Sequence, residues 1–200
     1  MAIPTKTYAG TLEGNLDGEV IHMDLDLSPE GRAHLISLVT DLYSDQELAC
    51  IREYSTNARD SHIEAGNDAP IQVTSPTTMN PYLVIRDFGT GMDLETMRQV
   101  FSRYGASSKR GSDDFNGMLG LGGKSALTYT SQFNVTSIRD GMKHQIVVTR
   151  DENGVGMMTV VDSSRTAEPN GVEIKIPVKG GNGFRHKIKD FFYYWNPGTV

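Results

Sequence analysis

Apolar residues recur along this 200-residue chain with two periods, and the period in each stretch predicts the element there. Residues 5–27 alternate around Gly14 and Asp17-Gly18, with Val20, His22, Asp24 and Asp26 facing opposite to Ile21, Met23, Leu25 and Leu27, which predicts a hairpin. Ser28 and Pro29 then open a helix in which Ala33, Leu35, Ile36, Val39, Leu42 and Tyr43 repeat at helical spacing. Asp45 is placed to cap a second helix through Leu48, Ile51, Ile63 and Ala65, with Gly66 as its left-handed stop. Strands are expected over 70–75 and 82–87, and Asp93 is expected to cap a short helix through Val100 and Phe101. From Ser102 to Asn116 no apolar period survives, so this stretch reads as a mobile loop, and glycines follow it. A helix over Lys124–Tyr129 leads into meander strands at 132–139, 143–150, 155–161 and 171–178. An amphipathic, aromatic helix from Phe184 to Trp195 stops at Asn196-Pro197-Gly198. Helices inserted among hairpin-connected strands predict an α/β (α+β) two-layer sandwich, a mixed sheet with helices on one face rather than a doubly wound parallel one.

Composition narrows the chemistry. A hydrophobic content of 38% over this length suits a single domain spanning 1–200. No apolar run approaches the roughly 20 residues that cross a bilayer, and Met1 to Tyr8 lacks the features of a signal peptide, so a cytoplasmic protein without membrane contact is expected. Cys50, the single cysteine, lies in an apolar helical stretch and reads as a small buried thiol. The formal net charge of -6, with basic residues scattered, argues against a nucleic-acid surface in this domain. It leaves open one phosphorylated small molecule held by backbone N–H groups and a metal ion.

Three polar constellations stand out. Glu53, Asn57 and Asp60 fall at i, i+4 and i+7 and share one helix face. Taken alone such a stripe is most often a solvated face. Asn, a poor helix former between two carboxylates, suggests instead a task such as binding Mg²⁺ through its amide oxygen. The apolar strand Leu83-Val84-Ile85 ends in Asp87-Phe88-Gly89-Thr90-Gly91-Met92, which is either an ordinary Asx turn or a carboxylate placed to accept from an exocyclic amine, with two glycines letting a flat ring approach and Met92 as an apolar wall. The run Gly117-Met118-Leu119-Gly120-Leu121-Gly122-Gly123-Lys124-Ser125 opens into a helix, as a hinge does or as a cradle for phosphate oxygens does. A P-loop is set aside, because its first glycine would fall at Met118 and no strand precedes it.

In order and spacing these motifs, Glu-x-x-x-Asn-x-x-Asp from Glu53, Asp-x-Gly-x-Gly-Met from Asp87 and Gly-x-x-Gly-x-Gly from Gly117, resemble the gyrase, heat-shock chaperone, histidine kinase and MutL (GHKL) ATPases over about residues 45–178. Ser107-Ser108-Lys109 is similar to the lid approach of MutL-like members. The resemblance implies the family's Bergerat-type fold, with a mixed and largely antiparallel sheet, and ATP and Mg²⁺ as ligands. It makes Glu53 the general base that activates water, Asn57 the Mg²⁺ ligand and Asp87 the reader of the adenine amine. Asp60, Gly89, Gly91 and Met92 would line the base pocket. Ser108, Lys109, Gly117, Leu119, Gly120, Leu121, Gly122, Gly123, Lys124 and Ser125 would wrap the phosphates within an ATP lid over 102–123.

Two features depart from the family. Val172 stands where a late strand usually carries Thr, which leaves adenine recognition altered or looser. Family ATPases also draw a catalytic Lys or Arg from a following domain, so the chain is expected to be the N-terminal part of a longer protein and to hydrolyse ATP slowly. Two functions follow from the resemblance. One is an ATP-driven conformational switch that forms a nucleotide-dependent homodimer, with Tyr8 in an N-terminal arm. The other is a nucleotide-binding regulatory module without hydrolysis. A histidine kinase is disfavoured, since no phosphoacceptor helix precedes the domain. Phage-encoded lysis-regulating relatives share the motifs, and the loop sequence leans toward a virus-encoded member acting in the host cytoplasm.

Overall fold

Two aspartates and a glycine fix the helix ends in the computed structural model. It describes residues 5–7, 10–12, 44–102, 125–150, 156–179 and 182–200. Helix α1 (Gln46–Ala65) begins where the Asp45 side chain accepts from the Leu48 N–H at 3.0 Å. It ends at left-handed Gly66, whose N–H reaches back to the carbonyls of the last turn. Asp93 caps α2 (Leu94–Ser102) by accepting from the Thr96 N–H at 2.7 Å. The short α3 (Ala126–Tyr129) starts two residues later than its pattern predicts, and α4 (Asn182–Phe192) starts two residues earlier.

Strands β1 (Thr5–Thr7) and β2 (Gly10–Leu12) form a small antiparallel hairpin with Thr7 opposite Gly10. The chain therefore reverses ahead of Gly14. The expected strand through residues 20–27, the helix over 28–43 and most of the expected lid lie outside the described residues; Ser102 belongs to α2.

The main sheet has six strands in the order β3-β4-β8-β5-β6-β7, and each neighbouring pair runs antiparallel. They are β3 (Gln72–Thr74), β4 (Tyr82–Arg86), β5 (Gln132–Arg139), β6 (Met142–Arg150), β7 (Gly156–Arg165) and β8 (Gly171–Pro177). One rung crosses four strands through Ile85, Ile174, Val135 and Ile146, all buried. The residues beside that rung, Lys175, Asn134 and Gln145 among them, belong to the opposite, more exposed face. Helices cover the apolar face: Ile51, Tyr54 and Ala58 of α1, Met97 and Phe101 of α2, Leu127 of α3 and Phe184 of α4 enter one core with it. Phe133 sits between Tyr54 and Phe101 with ring centroids 6.0 and 6.2 Å away. Each such fully buried side chain contributes roughly 1.5–3 kcal/mol. Strand β7 outruns its apolar pattern because Asp162 to Arg165 pair with β6 beyond a bulge at Val161.

The middle of α4 is stapled to the start of α1, where the Lys187 ammonium meets Asp45 at 2.6 Å and Glu47 at 2.8 Å. Asp45→Ala removes both the cap and one arm of this staple, and the expected result in denaturant unfolding is a loss of about 1–2 kcal/mol; an unchanged midpoint would contradict the capping role.

Candidate functional site

Helix α1 carries the polar stripe where its periodicity puts it. Glu53, Asn57 and Asp60 line one cleft of about 700 Å³, together with Arg52, Thr56 and Arg59 of the same helix and Phe191, Tyr194, Trp195, Asn196 and Thr199 from α4 and the turn after it. Asn57 is exposed and Asp60 buried. Glu53 Oε1 accepts from the neighbouring Arg52 guanidinium at 3.0 and 3.2 Å. Both partners are partly exposed, so this pair holds Glu53 by about 0–1 kcal/mol and is easily exchanged. The aromatic wall from residues 191–195 has no counterpart in the sequence reading, because nothing local says that α4 lies beside α1.

Asp87 stands at the C-terminal end of β4, where its N–H extends the ladder to the Val172 carbonyl at 2.9 Å. Its side chain is 5% exposed, and Oδ1 accepts from the Gly89 N–H at 2.9 Å. Burial holds this carboxyl above the usual carboxylate range, with the Gly89 N–H opposing. Asp87 does not line the cleft of the α1 stripe; the two are joined through the last turns of α1.

That junction is backbone against backbone. A Cβ on Gly89 would overlap Ser61 of α1, and one on Gly91 would overlap the Ile138 carbonyl of β5. Gly91 has φ 66°, and Gly171 opposite Asp87 has φ 133° with no room before the Asp87 carbonyl. The glycines of the Asp-x-Gly-x-Gly stretch are thus required by the protein's own packing, whereas the pattern alone suggests clearance for a ligand ring. Met92, half-buried, is held by the buried Ser137, whose Oγ accepts from the Met92 N–H at 2.7 Å and donates to its carbonyl at 2.8 Å.

Two further side chains grip the loop. His62 is fully buried, and its Nε2 accepts from the Phe88 N–H at 2.6 Å, so Nδ1 carries the proton and donates to the Ala69 carbonyl at 2.9 Å. Asn67 donates to the Phe88 carbonyl at 2.8 Å and accepts from the Ala69 N–H at 2.9 Å. Ser137, His62 and Asn67 escape sequence reading, since a lone Ser on a strand and a His in a last helical turn are usually structural.

The glycine run enters the description at its end. Ser125 is buried, and the Ala126 N–H donates to the Tyr54 hydroxyl at 3.1 Å, which ties the start of α3 to the turn of α1 that bears Glu53 and Asn57. Ser108, Lys109, Gly117, Leu119, Gly120, Leu121, Gly122, Gly123 and Lys124 lie outside the described residues. Cys50 is buried, and burial pushes its thiol up to about 12, which fits an unreactive core residue. Among the described residues no group of three His, Cys, Asp or Glu side chains is placed to hold a metal, and no helix is long and apolar enough to cross a membrane.

No known family model matches this sequence, and no curated protein matches it. Among solved structures, the ATPase region of Saccharomyces cerevisiae topoisomerase II bound to ICRF-187 (dexrazoxane) is similar, with a TM-score of 0.53 and 14% identity over 70% of this chain and 39% of that one. The α+β arrangement, an antiparallel six-stranded sheet with helices on one face, is the fold shared with that ATPase region. At that identity the likeness concerns the fold, and this chain spans about two fifths of the length of the topoisomerase chain it matches.

The buried carboxylate gives a pH-dependent expectation. A raised pKa in the folded state means that the stabilising form is the protonated one, fully present below the ordinary value of 3.8 and lost as pH rises through the raised value. Ionised Asp87 therefore costs stability at neutral pH. Asp87→Asn is expected to melt above the parent at pH 7 and level with it near pH 3; a variant that melts lower at pH 7 would show that the protein itself compensates the charge.

Proposed function

We propose that this chain binds Mg-ATP and hydrolyses it slowly, as a conformational and dimerisation switch. The observation that carries the proposal is the buried Asp87 carboxylate, anchored at a strand end beside α1 in a fold shared with an ATPase region. A buried acceptor whose charged form is disfavoured by burial gains most from a ligand that donates to it, and the exocyclic amine of adenine is such a donor. Gly89, Gly91, Met92 and Asp60 shape the surroundings of the base in this reading.

The α1 stripe serves the phosphates. Asn57 presents an exposed amide one turn from Glu53, in a cleft able to take a polar ligand. Mg²⁺ commonly takes one or two protein ligands and fills its shell from phosphates and water, which suits a lone Asn; when bound it neutralises phosphate charge. Glu53 orients and deprotonates the attacking water after exchanging its contact with Arg52. In this reading the stretch that follows Ser102, with Ser108 and Lys109, serves as the lid, and Gly117 to Ser125 wrap the phosphates. Residues 1–200 then act as a single nucleotide-binding domain in the cytoplasm, with a phage-encoded origin the favoured lineage.

The second reading is a nucleotide-binding regulatory module that does not hydrolyse. The pairing of Glu53 with Arg52 and the absence of a hydroxyl at Val172 support it.

Calorimetric titration with a non-hydrolysable ATP analogue and Mg²⁺ tests binding. The parent is expected to bind and Asp87→Asn to lose at least tenfold in affinity; no binding by the parent removes the nucleotide reading. Glu53→Ala is expected to bind normally while turnover falls at least 100-fold. A parent that binds but shows no turnover supports the regulatory module.

A further inference from the structure

The Phe88 peptide lies between the Asp87 carboxylate and the Gly89 N–H that orients it, so whatever fixes this peptide fixes the direction of the carboxylate. The β4–β8 ladder ends at the Asp87 N–H, and the next N–H, that of Phe88, turns toward α1. There His62 accepts it, and from the other side Asn67 donates to the Phe88 carbonyl. Both gripping residues also bind Ala69, His62 through its carbonyl and Asn67 through its N–H, so four hydrogen bonds close one ring around the helix end and the loop. The Phe88 side chain is fixed as well, with the His62 ring 6.4 Å from its centroid and the Arg86 guanidinium 5.0 Å from it.

We infer that His62 and Asn67 are positioning residues that set the base selectivity of the site by holding the Phe88 peptide, and with it the Asp87 carboxylate, in one orientation. The inference rests on the nucleotide reading above. A carboxylate held in place accepts from the amine of adenine and meets a carbonyl oxygen in guanine, so its rigidity converts directly into discrimination between the two. If the Phe88 peptide is released, the carboxylate can swing away from either base. A merely structural role would lower stability and weaken both nucleotides alike; a positioning role changes their ratio.

The experiment titrates the chain with non-hydrolysable ATP and GTP analogues in the presence of Mg²⁺, and compares the parent with His62→Leu, His62→Gln and Asn67→Ala. Leu keeps the buried volume without an acceptor, Gln returns an acceptor near the Nε2 position, and Asn67 is only partly buried, so its truncation leaves the core intact. His62→Leu and Asn67→Ala are each expected to reduce the ATP-over-GTP preference about three- to tenfold, the scale of one hydrogen bond, with His62→Gln restoring most of it. Amide hydrogen exchange gives a ligand-free readout, with Phe88 protected in the parent and faster in His62→Leu. If His62→Leu does not fold, Asn67→Ala decides. An unchanged preference in the folded variants overturns the positioning role while leaving nucleotide binding in place. A parent that binds neither analogue overturns the nucleotide reading and this inference with it.

Discussion

The close approach of the Asp87–Met92 loop to three other backbones is the constraint on which the rest of the site depends. Gly89 abuts Ser61 of α1, Gly91 abuts Ile138 of β5, and Gly171 of β8 abuts Asp87. No side chain larger than hydrogen fits at these crossings, so the loop has one seat, and that seat joins the sheet to the helix that carries Glu53, Asn57 and Asp60. Interiors are packed densely enough that a displacement of this loop would have to move a strand or a helix with it. The hydrogen bonds of Ser137 to Met92, and of His62 and Asn67 to Phe88, fix the loop within the seat.

Such rigidity gives meaning to the one buried charge at the strand end. A carboxylate in a loose loop would turn toward water, whereas Asp87 is 5% exposed and held by the Gly89 N–H. Folding tolerates the cost because the surrounding core, from Phe133 through Ile146 to Met97, is large. A ligand that supplies a donor to this carboxylate offsets its desolvation, which is the physical basis for specific recognition at a buried polar group.

Much of this was legible in the sequence where the controlling interactions are local. Asp45, Gly66 and Asp93 mark helix ends because caps act within one turn, and the strands at 132–139 and 171–177 follow from β-branched alternation. The Glu53, Asn57 and Asp60 stripe needs only helical periodicity, and the cleft gathers all three. What the sequence hid is non-local. The polar end of β7 is a strand because β6 pairs with it. The aromatic wall from Phe191 to Trp195 depends on α4 lying beside α1. The glycines at 89 and 91 have an internal packing duty that no spacing rule distinguishes from ligand clearance, and His62 acquires its partner 26 positions along the chain.

The most direct measurement is a crystal structure of this chain with Mg²⁺ and a non-hydrolysable ATP analogue. The adenine amine is expected within hydrogen-bond distance of the Asp87 carboxylate, with the phosphates directed toward Asn57 and Phe88 still gripped by His62 and Asn67. An adenine ring stacked instead against Trp195, with Asp87 untouched, would contradict that placement.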